Sequence, residues 1–295
     1  MKNSLTFKES LTGYVFILPQ FVLFVIFYFY PIVEGIRLSF YDILPRGNVF
    51  IGWKNYQQLF ENPVFLISVR NTLIYVVAIV SLTVVFGLFV AASIFDKHIK
   101  YVSIIRGCYY LPYMVSMVVM AMVWNFLLNP ANGLVCYYLQ QLGFSTVNLL
   151  GSRYTVLWVI AFVVFIFNVG QAIILFIAAM VGVSKDLFEA ADIDGAKRFQ
   201  KILYILLPMI RPSILYVMVI NVIGVLKMFV AIQLLTDGGP NNASVTMMYF
   251  LYQNAFRWNR SGMASAIGVL LFFIAILFLI PIFSILGDNK GKRSL

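Results

Sequence analysis

Charge is scarce in this chain. Of its 295 residues only 11% are Asp, Glu, Lys or Arg, while 62% are hydrophobic. A soluble domain carries about 25% charged residues, so this chain cannot cover its surface in water. Histidine is rarer still: His98 stands alone, which excludes a zinc site built on several histidines. Cys108 and Cys136 are far apart and match neither a ligand spacing nor a disulfide framework, so packing explains both. The chain has no G-x-x-x-x-G-K-[ST] run and cannot hold ATP in a phosphate loop. It also lacks a nucleophile–base set or a metal cluster, which argues against a membrane enzyme. No short-period repeat, low-complexity segment or soluble second domain interrupts it.

What it has in abundance is long apolar runs, with a mean hydropathy of +0.94. A helix needs about 20 apolar residues to cross roughly 30 Å of hydrocarbon. Six stretches qualify: Leu11–Ile36, Thr72–Phe95, Gly107–Leu128, Tyr154–Val181, Ser213–Leu235 and Met263–Leu286. In lipid each backbone group needs an internal partner, so all six are predicted as helices and the class as all-α. Pro19, Pro31, Pro112 and Pro281 are positioned to kink them. The apolar run behind the short basic N-terminus is too long for a signal-peptide core of about 7–15 residues. It reads as an uncleaved first span.

The net charge of +10 has a simpler cause than nucleic acid. With the N-terminus inside, the inner segments collect Lys2, Lys8, Lys97, Lys100, Arg106, Lys185, Lys197, Arg198, Lys201, Arg211, Lys290, Lys292 and Arg293. The outer segments hold fewer: Arg37, Arg46, Lys54, Arg70, Arg153, Arg257 and Arg260. Positive charge stays on the cytoplasmic side, so both termini are expected inside. The outer segments are long and aromatic. Trp53, Tyr56 and Phe60 recur at helical spacing, which predicts a short interfacial helix, and Asp237-Gly238-Gly239-Pro240 reads as a turn.

One polar stretch stands apart, from Ser184 to Pro212. Ser184 can cap a helix, and Asp186 in its first turn suits the dipole. Asp194-Gly195 breaks that helix. Phe199, Ile202, Leu203 and Leu206 then recur at i, i+3, i+4 and i+7 as one apolar stripe. By its own pattern the stretch is either a solvated loop resting on the bundle or a docking element. Ala190 and Ala191 would give that element a small-residue face, rimmed by Glu189, Asp192 and Asp194.

The same stretch resembles the EAA motif of permease subunits of binding-protein-dependent ABC importers. The motif stands as Glu189-Ala190-Ala191-Asp192-Ile193-Asp194-Gly195-Ala196, followed by Ile205-Leu206-Leu207-Pro208 and Pro212. The likeness extends to a carbohydrate-permease pattern at Phe50, Gly52, Asn55, Tyr56, Asn71 and Thr72. It continues in an L-T-x-G-G-P signature at Leu235, Thr236, Gly238, Gly239 and Pro240. The resemblance is to the maltose/glycerol-3-phosphate type. It implies one permease domain over 1–295, of type I importer fold, with residues 184–212 as a cytoplasmic coupling loop. It implies contact with the ATPase through Glu189, Ala190, Ala191, Asp194, Gly195 and Ala196. It further implies a second permease subunit, two ATP-binding subunits that hold ATP and Mg, and an external solute-binding protein. The setting would be a bacterial or archaeal cytoplasmic membrane.

Polar residues within spans usually face the bundle interior or a wet cavity. The solute-path candidates are Asn168, Gln171, Asn221, Lys227, Met228 and Gln233, with Asn125 beside them. Amides donate and accept hydrogen bonds, which suits sugar hydroxyls. Trp124, Phe167 and Phe229 can stack on a sugar ring. The alternative for each amide is an interhelical hydrogen bond. By resemblance the solute is a carbohydrate, and glycerol-3-phosphate or a related polyol phosphate is the second choice. An ion-coupled transporter is the rival class, disfavoured because Lys227 has no acid in its own span.

Overall fold

The computed structural model describes residues 7–44, 46–95, 97, 99–144 and 148–286. Lys2, His98, Lys290, Lys292 and Arg293 lie outside them. The first span comprises α1 (Phe7–Phe24), a wide turn over Val25–Phe29, and α2 (Tyr30–Leu38). The Tyr30 N–H reaches back five residues to the Val25 carbonyl, directly before Pro31. This i→i+5 turn is a local widening of the helix.

A hairpin, β1 (Tyr41–Leu44) and β2 (Gly47–Phe50), follows, pairing Tyr41 with Phe50. It is the one departure from all-α among the described residues. Next come α3 (Lys54–Glu61) and α4 (Pro63–Ile94). The short helix α3 is where aromatic spacing placed it. Asn55 explains why: its amide donates to the Ser39 and Tyr41 carbonyls at 2.8 and 3.1 Å. Tyr56 shares a hydrogen bond with the Ser39 hydroxyl at 2.7 Å. The pair clips α3 to the end of the first span.

At 32 residues α4 is about 48 Å long, well beyond the hydrocarbon thickness. It starts before the predicted Thr72 because Asn62 caps it, accepting from Val64 and Phe65 N–H, with Pro63 in the first turn. α5 (Ile99–Met114) and α6 (Met117–Leu127) meet at 94°, so the expected straight third span is bent. Ser116 restarts the helix there as an N-cap on Val119 N–H.

α7 (Leu134–Gln141) is short, and α8 (Val156–Val181) matches the fourth predicted span. The polar stretch holds α9 (Lys185–Ile193), α10 (Arg198–Lys201), a second wide turn over Ile202–Leu206, and α11 (Leu207–Met209). α12 (Arg211–Leu226) leaves it at a 68° bend. The fifth span was expected to run unbroken to Leu235. It stops at Leu226 and resumes as α13 (Val230–Leu235). α14 (Met247–Tyr252), a third wide turn and α15 (Ser261–Leu286) complete the chain.

Four helical segments among the described residues are long and apolar enough to cross a membrane, or up to six if each of two bent pairs is one span. Helices in lipid associate by close packing rather than by escape from water. The central pair is α4 with α8. Gly87 of α4 lets the Phe176 ring and Ala172 of α8 approach; a Cβ there would stand 3.2 Å from the ring. Gly170 of α8 lies against the Tyr109 carbonyl of α5, with no room for a Cβ. Helix α12 packs on α4, α8 and α15, while the first span leans on α15 through α2. That first span, Tyr14–Leu38, is otherwise exposed: no residue of its most apolar stretch is fully buried against the rest of the chain.

Candidate functional site

Two regions gather the polar residues: the 184–212 segment at one end of the bundle, and a cavity within it. The segment is held by its own chemistry. Ser184 Oγ accepts from Asp186 N–H at 3.3 Å and starts α9. Gly195 ends it with φ of +74°, a left-handed angle that favours glycine. Ala196 N–H then bonds the Ala191 carbonyl at 2.9 Å, and Gly195 N–H bonds Asp192 at 3.1 Å. This is the Schellman closure of a helix. Gln200 caps the next helix on Lys197 N–H at 2.7 Å. Lys201 folds back onto Asp192 at 2.8 Å, so α9 and α10 are clasped across the break.

The segment is also anchored to the spans. The Arg198 guanidinium donates to the Ala92 and Ser93 carbonyls at the end of α4, at 3.2 and 3.0 Å. Those carbonyls have no partner within their own helix. Phe188 packs on Phe95, with ring centroids 5.3 Å apart. Arg211 bonds the Ile285 carbonyl near the end of α15. Arg198 and Phe188 were not singled out from sequence; a basic residue three after the Asp-Gly break gives no cue to its partner.

Glu189, Ala190, Asp194 and Gly195 are exposed, and Ala196 is half-buried. Ala191 is buried, so the expected small face of Ala190 with Ala191 does not form: adjacent helical positions point about 100° apart. The apolar stripe also divides. Leu206 and Ile202 turn inward, but Phe199 is 71% exposed and Leu203 is open. The wide turn at Ile202–Leu206 breaks the 3.6-residue register that would have kept them on one face. Ile193, 89% exposed, and Tyr204 add to an uncovered apolar surface.

The cavity measures about 450 Å³. It collects Asn168 and Gln171 of α8, Asn221 of α12, and Lys227 and Met228 from the break. Lys227 is the one charged residue of its wall, and Phe167, Tyr216 and Phe229 supply aromatic surface. Tyr113 and Met117 enter from either side of the α5–α6 bend, so both interruptions of the spans border the same space. Irregular backbone at membrane depth is tolerated where it lines a cavity. Asn221 donates to its own helix at Val217, 2.9 Å away. Gln233 sits half-buried on α13, past the wall residues Val230 and Ala231, and is not part of the wall. Asn125 spends its amide on the Leu234 carbonyl at 3.1 Å, an interhelical bond.

At the opposite end from the 184–212 segment, Asp237 takes two bonds from Arg257, at 2.6 and 3.1 Å, and one from the Tyr249 hydroxyl at 2.5 Å. The Arg257 guanidinium, then Tyr249, hold its carboxyl below the usual range. Burial first, and Asp237 second, push the Tyr249 phenol up to about 12.

An apolar helical bundle with interrupted spans around a cavity that gathers amides and a lysine, and one clasped polar segment bonded to two of its helices, defines a membrane transport subunit. Residues 83–288 match the binding-protein-dependent transport system inner membrane components, and the chain belongs to that family. It is 30% identical to the arabinooligosaccharides transport system permease protein AraP of Bacillus subtilis, over 98% of this chain and 93% of that one. It is also 30% identical to the sn-glycerol-3-phosphate transport system permease protein UgpA of Pectobacterium atrosepticum, over 92% of each. The fold matches a chain of a bacterial ABC transporter that imports the acidic polysaccharide alginate. There the TM-score is 0.81 and the identity 25%, with 96% of this chain and 97% of that chain covered. The protein is thus a permease subunit of an ABC importer.

Proposed function

We propose that this subunit carries a carbohydrate across the membrane, with the 184–212 segment as its ATPase-coupling loop. The observation that carries the solute reading is the cavity, where Asn168, Gln171 and Asn221 line one space with aromatic rings. Amides match sugar hydroxyls as both donors and acceptors, and the relatives named for arabinooligosaccharides and alginate support the class. Asn168, Gln171, Asn221, Lys227 and Met228 form the proposed path. A polyol phosphate is the second reading, favoured by Lys227 in the wall and by the glycerol-3-phosphate relative.

The whole of 1–295 acts as one permease domain, with both termini inside and six spans. The coupling reading rests on the uncovered Ile193, Phe199 and Tyr204 beside the acidic Glu189 and Asp194. Large apolar side chains exposed on a polar segment mark a protein interface. ATP and Mg belong to two partner ATPase subunits, and hydrolysis occurs there. The unburied first span supports a second permease subunit as its neighbour. The family description supports a solute-binding protein on the outer side of a bacterial or archaeal cytoplasmic membrane.

The test is ATP-driven uptake by the assembled transporter in proteoliposomes. Radiolabelled oligosaccharide and glycerol-3-phosphate are each offered with the system's own binding protein. Uptake of the sugar, lost in Asn168→Ala with Gln171→Ala, supports the carbohydrate path. Uptake of the phosphate alone replaces it with the second reading.

A further inference from the structure

The interruption at Lys227–Phe229 leaves backbone groups without helical partners, and one of them is met from far along the chain. The Thr246 hydroxyl donates to the Met228 carbonyl at 3.1 Å. The same oxygen accepts the Tyr249 N–H at 3.2 Å, capping α14. Thr246 is buried, as are Ser244, Val245 and Met247 around it. A buried carbonyl left unmet costs more than a bond made is worth, so this contact helps decide how the break is shaped.

Thr246 is itself held by α4. The Asn71 amide donates to the Ala243 and Val245 carbonyls at 2.9 and 3.0 Å. Thr72 Oγ1 accepts the Met247 N–H at 2.9 Å and donates to the Ser68 carbonyl at 2.7 Å. The base of the 236–246 loop is closed by Ser244, which bonds Thr236 Oγ1 and the Gly239 carbonyl, each at 2.8 Å. The tip, Asn241 and Asn242, is exposed. Hydrogen bonds at successive residues of the 243–247 segment therefore link the exposed loop and α4 to the cavity wall.

We propose that Thr246 is a positioning residue for the solute cavity: it ties the 236–246 loop to the Met228 carbonyl, so that events at the exposed loop set the shape of the Lys227–Phe229 break. This rests on the permease reading. Energetic coupling between sites needs an element with two arrangements that both sites bias. On this proposal the break between α12 and α13 is that element: its Met228 carbonyl is satisfied by Thr246 and changes partner if the loop moves.

The experiment uses the complete transporter in proteoliposomes with its solute-binding protein. It compares wild type with Thr246→Val, Thr246→Ala and Thr246→Ser. Basal ATP hydrolysis, its stimulation by solute-loaded binding protein, and half-saturation for uptake are measured together. Losing the hydroxyl removes both the Met228 tie and the Tyr249 cap, and should lower stimulated hydrolysis and uptake by at least roughly five-fold, the effect of one lost hydrogen bond, while basal hydrolysis persists. Serine should restore both, because it keeps the hydroxyl. Thr72→Val should reproduce the loss from the other side of the loop, where it strands the Met247 N–H. The inference is overturned if valine and alanine match wild type, or if serine fails as they do. Should wild type show no ATP-driven uptake, the permease reading falls instead.

Discussion

The Lys201 ammonium meets the Asp192 carboxylate at 2.8 Å, and so closes the angle that Gly195 opens between α9 and α10. Asp192 is mostly exposed, which limits such a pair to about 0–1 kcal/mol of stability. Its value is geometric. Lys201→Ala should leave the melting temperature in detergent nearly unchanged while reducing ATP-coupled uptake. The charge-exchanged pair Asp192→Lys with Lys201→Asp should recover part of that loss. A melting curve alongside an uptake assay checks both.

Gly195 has open space around it, so its φ of +74° alone restricts what can replace it. A β-branched residue there costs on the order of 1–2 kcal/mol, whereas asparagine tolerates the angle better. Uptake should rank wild type, then Gly195→Asn, then Gly195→Val. Equal activity of the two variants would show that the turn is not needed.

Gly170 and Gly107 make a matched pair on facing helices. A Cβ at Gly170 runs into the Tyr109 backbone, while one at Gly107 meets nothing within 4 Å. Gly170→Ala should force α5 from α8 and cost about 1–3 kcal/mol. Gly107→Ala should be neutral or stabilise by up to about 1 kcal/mol, from helix propensity. Thermal unfolding in detergent separates them.

Much of this was legible in the sequence. Apolar length located the fourth and sixth spans, and Trp53, Tyr56 and Phe60 located α3. The Asp-Gly break was read at the right place because φ preference is local. Bends were not legible: the α5–α6 angle follows from Ser116 capping a new helix, and the α12–α13 break from a carbonyl met by Thr246. Both depend on partners remote in sequence or on an N-cap inside an apolar run. Lys227 reads as a solute-path candidate with no acid in its own span; the structure puts it at a helix end on a cavity wall.

Asp237 gives a pH prediction. Its folded pKa is depressed, first by Arg257 and then by Tyr249. Its contribution is therefore complete above the unfolded carboxylate range and is lost as pH falls through the lower, folded value. The 236–257 segment should hold its shape at neutral and mildly acidic pH and loosen in strong acid. Asp237→Asn should remove that acid-dependent step. Hydrogen exchange of residues 236–257 against pH follows it.

Lys227 is the charged member of the cavity wall, so Lys227→Gln should shift selectivity between neutral and anionic solutes. On the carbohydrate reading, neutral sugar uptake survives and inhibition by anionic analogues weakens. Competition assays with the assembled transporter read this directly.

The central claim is that an ATPase acts on this subunit through residues 184–212. The most direct measurement is ATP-driven uptake in proteoliposomes holding the full transporter, wild type against Glu189→Lys, with ATPase copurification scored in parallel. The account predicts that Glu189→Lys inserts normally yet loses both uptake and the ATPase subunits. Unchanged copurification and uptake in that variant, or solute uptake by this chain alone driven by a proton or sodium gradient, would contradict it.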